Sequence, residues 1–166
     1  MLWNVQAMNK IVIFAVIIVL AIGAFFVFGN SNNSESNTNF HYAERAVIFK
    51  SMSCGCCSVY ASYLQKRGVE ADVPEISDTE LASMKDKYQI PANMRSCHTT
   101  QYGNYFVEGH IPLEAVQKML TEKPDILGIA MPGMPMGSPG MPGSKDEQFV
   151  IYAINKDGSS YEFMRI

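Results

Sequence analysis

The first structural signal in the chain is an unbroken apolar stretch: from Ile11 to Phe28 no residue carries a charge or a polar side chain. As a helix rising ~1.5 Å per residue it is about 27 Å long, which just crosses the hydrocarbon core of a bilayer. Lys10 precedes the stretch and the next basic residue is Arg45. That asymmetry predicts a cytoplasmic N-terminus over residues 1–10, a transmembrane anchor over 11–28, and an extracytoplasmic location for everything beyond. The run ends in the bulky residues Phe25 to Phe28, where a cleavage site would need small ones, which favours an uncleaved anchor over the rival reading, a cleaved signal peptide. Residues 29–40 are rich in Asn and Ser, too polar to fold alone, and form a linker to a domain over 41–166.

Inside that domain the periodicity alternates between strand and helix. Ala46 to Lys50 is a short β-branched and aromatic run, and Val59, Tyr60, Tyr63 and Leu64 recur at helical spacing within Cys57 to Lys66, stopped by Arg67-Gly68. Val69 to Val73 reads as a second strand. Ser77 and Glu80 form a capping box that opens a helix running to about Tyr88. His98 to Tyr102 and Tyr105 to Glu108 flank Gly103-Asn104, a two-residue hairpin turn that needs positive φ at the glycine. Pro112 to Glu122 is the next helix, with proline in its tolerated first position. The order β-α-β-α-β-β-α predicts an α/β domain of thioredoxin-like type, a mixed sheet with flanking helices. Gln148 to Asn155 and Ser160 to Arg165, joined by Lys156-Asp157-Gly158, add a C-terminal β-hairpin.

Composition narrows the function classes. A chain of 166 residues has room for one ordinary core, which excludes a large multidomain enzyme. A formal charge of −3 with no basic stripe excludes nucleic acid as a partner.

The candidate chemistry lies in the sulfur residues. Cys54-Gly55-Cys56-Cys57 packs three of the four cysteines into four positions, leaving no long loop for disulfides to staple. Reactive thiols or metal ligands fit that density better. Cys57 falls at the start of the predicted helix, where exposed amide N–H groups and the helix dipole favour thiolate. Three soft donors on one loop suit Cu(I). The Cys54-x-x-Cys57 spacing also suits thiol-disulfide exchange, and Cys54, Cys57, Cys97 and His98 would suffice for a structural zinc site. In the predicted topology the strand beginning at Cys97 lies antiparallel to the first strand, which brings Ser96 and Cys97 near the cluster. His98 is a further candidate ligand, although strand neighbours point to opposite faces, so both residues reach one ion only through an irregular strand start. His110 and His41 read as ordinary polar residues.

Residues 130–143 alternate Pro and Gly too often for a helix or central strand and must form a loop. Of its four methionines, Met131, Met134, Met136 and Met141, Met134 and Met136 are the better candidate thioether donors to copper, while Met131 serves equally well to seal a gap under the loop. Core packing accounts for Tyr60 and Tyr63.

The segments Cys54-Gly55-Cys56-Cys57, Ser96-Cys97-His98-Thr99, Val107-Glu108-Gly109-His110-Ile111-Pro112, Glu122-Lys123-Pro124 and the Met-Pro-Gly loop from Pro132 to Met141 resemble, in order and spacing, the CopG-like copper-resistance proteins. The resemblance spans about Ala46 to Arg165. It implies a thioredoxin-like fold, residence in the cell envelope and copper binding through Cys54, Cys56 and Cys57, as a multinuclear Cu(I) site with redox activity toward copper. Partners would be copper ions, the membrane through the N-terminal helix, and a copper-delivery or redox protein. Members of that family often carry Trp and His in the helix after the cysteines, where this chain has Tyr60 and Tyr63.

Overall fold

The computed structural model of the protein describes residues 45–166; the predicted anchor at 11–28, the linker and His41 lie outside the described residues. Among the described residues no helix is long and apolar enough to cross a membrane. The domain is a mixed α/β structure with one eight-stranded sheet and three α-helices.

Strand β1 (Ala46–Ser51) alternates buried and half-buried positions, which places Ala46, Ile48 and Lys50 on one face. Helix α1 (Gly55–Gln65) follows and buries Cys57, Tyr60, Ala61 and Leu64, an i, i+3, i+4, i+7 stripe that lays one face on the sheet. It starts two residues before the predicted Cys57, with Cys54 as its N-cap. Its end is the expected glycine stop: Gly68, at φ +82°, lets the Val69 N–H reach back to the Leu64 carbonyl at 3.2 Å and the Gly68 N–H to that of Gln65 at 3.0 Å.

Of the strand expected over Val69 to Val73 only β2 (Ala71–Asp72) pairs, and a second short piece, β3 (Glu75–Ile76), which the sequence pattern does not reveal, follows it. Both pair in parallel with β1, and Pro74, which has no N–H to give the ladder, divides them. Helix α2 (Asp78–Lys87) opens on the predicted capping box, with the Ser77 hydroxyl accepting from the Glu80 N–H at 3.2 Å and the Glu80 carboxylate accepting from the Ser77 N–H at 2.9 Å. After a single 3₁₀ turn at Ala92–Met94, β4 (His98–Tyr102) and β5 (Tyr105–Glu108) form the predicted hairpin, in which Tyr102 opposes Tyr105 and Thr99 opposes Glu108.

Helix α3 (Leu113–Glu122) crosses back to β6 (Gly128–Ala130), which lies parallel to β5. The sequence pattern does not reveal β6, because a strand buried on both faces has no polar alternation and three residues carry no period. Gly128 is required there, since a Cβ would sit 2.2 Å from the Phe106 carbonyl oxygen. The C-terminal hairpin of β7 (Val150–Ile154) and β8 (Ser160–Arg165) extends the sheet. The strand order is β2-β1-β4-β5-β6-β7-β8, with β3 beside β1. The main core gathers Ile48, Tyr60, Leu64, Val107, Val116, Met119, Ile129 and Ile151, while Ile90, Met94, Phe106, Ala130 and Ile154 pack as a second cluster. Adjacent residues Phe106 and Val107 fall into different clusters, so the sheet carries apolar contacts on both faces.

Candidate metal centre

The antiparallel pairing of β1 with β4 sets Lys50 opposite His98, so the end of β1 and the start of β4 meet at one edge of the domain. The cysteine loop leaves β1 and the Ser96-Cys97-His98 segment enters β4 at that edge. Four cysteines separated by up to 43 positions in the chain thereby converge: Cys54, Cys56, Cys57 and Cys97 offer ligand atoms all within 4.8 Å of one another. Cys57, Cys97, His98 and His110 form a second set on the same criterion, sharing two sulfurs with the first.

Cys97 is the hub. Its Sγ lies 3.3 Å from that of Cys57, 4.0 Å from that of Cys56, 3.8 Å from His98 Nδ1 and 3.6 Å from His110 Nε2. Cys56 in turn stands 3.6 Å from Cys54, sulfur to sulfur. Cys54 and Cys57 are joined as a disulfide, leaving Cys56 and Cys97 as the free thiols. Cys97 precedes the first paired residue of β4, and this irregular entry lets it share a centre with its neighbour His98.

His110, read from sequence as an ordinary polar residue, belongs to the centre. The signal that could have placed it is topological: β5 ends beside the start of β4, and Gly109, at φ +90°, turns the chain there. A Cβ on Gly109 would meet the Met131 carbonyl oxygen at 2.9 Å and the Ser96 hydroxyl at 3.1 Å, so the turn is packed as well as bent. The His110 ring is oriented by the methionine loop, whose Pro139 carbonyl lies 2.7 Å from Nδ1. A carbonyl only accepts, so Nδ1 carries the proton and the Nε2 lone pair faces Cys97, the tautomer a metal needs.

Tyr60 is fully buried beneath the two imidazoles, with ring centroids 4.7 Å from His98 and 5.4 Å from His110, and its hydroxyl donates to the Ile111 carbonyl at 2.9 Å. Tyr63 accepts from the Leu113 N–H at 3.0 Å. Both tyrosines therefore join α1 to the segment carrying His110, as well as filling core.

The loop methionines divide. Met131 is buried in the main core. Met134 is half-buried in the left-handed region at φ +46°, and Met136 is 56% exposed, a Cβ built on Gly143 falling 2.7 Å from its methyl carbon. The loop nonetheless touches the cysteine helix: a Cβ on Gly140 would lie 2.8 Å from the Tyr60 backbone nitrogen and 3.2 Å from the Cys56 carbonyl.

Burial sets the charge state of the donors. It pushes the Cys97 thiol up to about 11, helped by neighbouring Cys56. It lowers His98 well below the usual histidine range, with His110 and Lys85 adding to the effect, and it lowers His110 against the opposing Pro139 hydrogen bond. The centre thus presents neutral imidazoles, ready as ligands, and a protonated Cys97 whose proton an arriving metal must displace. His98 Nε2 is buried without a hydrogen-bond partner. Soft sulfur with imidazole, partly shielded from water, is a donor set for copper or zinc.

Residues 94–141 match the family described as "Protein of unknown function, DUF411". No curated protein sequence matches the chain. Among solved structures, form 1 of copper resistance protein CopG is 30% identical with a TM-score of 0.67, the alignment covering 74% of this chain and 96% of that one. Form 2 of the same protein is also 30% identical, with a TM-score of 0.66 and coverage of 74% and 98%. With nearly the whole of that protein aligned, and with the cysteine and histidine centre in place, the chain belongs to the CopG-like copper-resistance family.

Proposed function

We propose that this protein is a membrane-anchored, extracytoplasmic Cu(I)-binding protein of copper resistance, built on a thioredoxin-like arrangement in which β2-β1-β4-β5 carry the site. Cys54, Cys56, Cys57 and Cys97 supply thiolates, His98 and His110 supply imidazole nitrogen, and Met134 and Met136 offer thioethers as copper arrives. The observation that carries this reading is the pair of four-residue donor sets sharing Cys57 and Cys97, a continuous run of soft donors larger than one ion requires. That overlap favours a polynuclear site over the single tetrahedral ion of a structural zinc centre.

The redox part of the proposal follows from the Cys54–Cys57 pair. Closing that disulfide from two thiols releases two electrons and two protons, which reduces two Cu(II) to Cu(I). A partner protein that returns two electrons and two protons reopens the thiols. The test is anaerobic Cu(I) titration of the full chain in detergent under reducing conditions, counting copper per chain by thiolate-to-copper absorption, with Zn²⁺ as competitor. Uptake of more than one copper, reduced in Cys56→Ser, supports the reading; no uptake, or displacement of copper by equimolar zinc, overturns it.

The closed Cys54–Cys57 pair at the start of α1 also supports a second reading, thiol-disulfide exchange on a protein substrate. A Cys57→Ser variant then leaves the Cys54 thiol to trap mixed disulfides, and their absence removes this reading.

A further inference from the structure

Three buried polar side chains behind the centre, Lys85 on α2, Thr99 on β4 and Glu108 on β5, are not ligands, yet they enclose the segment that bears two of them. The Glu108 side chain is fully buried and Lys85 is 5% exposed. Glu108 Oε1 accepts from the Ser96 backbone N–H at 2.5 Å and from Lys85 Nζ, while Oε2 accepts from the Thr99 hydroxyl at 2.6 Å. Lys85 also donates to Thr99 Oγ1 at 2.9 Å. One carboxylate therefore holds the residue before Cys97 and the residue after His98.

Elementary energetics make this arrangement informative. An ion pair taken out of water recovers its desolvation cost only in favourable geometry, and apolar residues of the same size would serve stability as well or better. The Ser96 N–H precedes β4 and has no strand partner, so without Glu108 it would be a partly buried donor left unmade. The same carboxylate thus satisfies the irregular strand entry that lets neighbours Cys97 and His98 address one centre. The Glu108 main chain is engaged too, its carbonyl accepting from the Met131 N–H at 3.1 Å, and His110 follows two residues on.

We propose that Glu108, braced by Lys85 and Thr99, is a positioning residue of the copper site: it brackets the Cys97-His98 dipeptide and holds both donors in ligating geometry. This rests on the copper-binding reading above for its function, though the bracket itself can be measured without metal.

The test uses the full chain and the double variant Lys85→Met/Glu108→Leu, which leaves no buried charge unpaired and so keeps the fold while removing the bracket. In metal-free protein, amide exchange at Ser96 and alkylation of Cys97 should both accelerate about tenfold or more, while the chain keeps the parental circular dichroism spectrum and a single cooperative melting transition. With Cu(I), competition against a chromophoric chelator should show affinity lowered about 10- to 100-fold, the usual effect of removing a group that orients metal ligands. Lys85→Met/Glu108→Gln keeps an oxygen for the Ser96 N–H with no buried charge unpaired and should restore most of both properties, which a requirement for charge alone would not allow. If the double variant fails to fold, Thr99→Val, which cuts one arm of the bracket, is read in the same way with a loss of at least threefold. A folded variant with parental Ser96 exchange and parental Cu(I) affinity overturns the proposal. If the parent chain itself takes up no Cu(I), the copper reading fails, and unchanged Ser96 exchange and Cys97 alkylation in the variant would refute the bracket separately.

Discussion

Gly140→Ala should loosen the metal centre from a position that contributes no ligand. Gly140 sits at φ +84°, and its missing side chain leaves room for backbone of the cysteine helix: an added Cβ would lie 2.8 Å from the Tyr60 nitrogen, 3.1 Å from its Cα and 3.2 Å from the Cys56 carbonyl oxygen. These are helix atoms that cannot rotate away, so the loop must retreat, taking with it the neighbouring Pro139 carbonyl that orients His110. Gly133 supplies the control, because it has nearly the same φ, +82°, with nothing within 4 Å of the added carbon. Left-handed strain alone costs about 1–2 kcal/mol, the value expected for Gly133→Ala. Overpacking adds about 1–3 kcal/mol, so Gly140→Ala should lose about 2–5 kcal/mol. At roughly 4 °C per kcal/mol for a domain of this size, the two variants should melt about 4–12 °C apart by differential scanning calorimetry. Gly140→Ala should also weaken Cu(I) binding, whereas Gly133→Ala should not. Equal melting temperatures for the two variants would refute the close approach of loop and helix.

Two other outcomes follow from buried charge. Lys85→Met strands the Glu108 carboxylate away from water and should cost about 3–5 kcal/mol in urea unfolding at neutral pH. Burial raises the Glu108 carboxyl above its ordinary range, and a carboxyl so raised favours the folded state in its protonated form. The Lys85→Met deficit should therefore shrink as pH falls and the group protonates; a loss under about 1 kcal/mol at pH 7, or one that grows on acidification, contradicts the buried pair. For Cys97, burial pushes the thiol up to about 11, so its alkylation in metal-free protein, followed by peptide mass spectrometry, should rise most steeply as pH passes the usual thiol range toward that value. A midpoint near 8.5, the value of an unperturbed thiol, would show that Cys97 is not shielded.

Much of the fold is legible locally. The Ser77–Glu80 capping box, the hairpin at Gly103-Asn104 and the glycine stop at Gly68 are contacts over a few residues, and each forms where its residue types require. The errors have equally local causes. The strand expected over Val69 to Val73 pairs only at Ala71–Asp72, the piece β3 beyond Pro74 is too short to show a pattern, and β6 is hidden because residues buried on both faces show no alternation.

In the site, residue type and spacing along the chain mark the Cys54-x-Cys56-Cys57 cluster as metal or redox chemistry, because three thiols in four positions admit few other uses. Sequence also determines that the methionine segment is a loop and that Gly103 turns a hairpin, since both are properties of a few adjacent backbones. Only tertiary structure decides that His110 joins the centre while the Met136 side chain stands 56% exposed, that Pro139 selects the imidazole tautomer, and that Glu108 holds both ends of the Cys97-His98 segment. Those contacts join residues 9 to 53 positions apart through the β1-β4-β5 register and the packing of the loop on α1. Periodicity states which face of an element is apolar; the distances between donors on different elements arise when those faces are packed against one another.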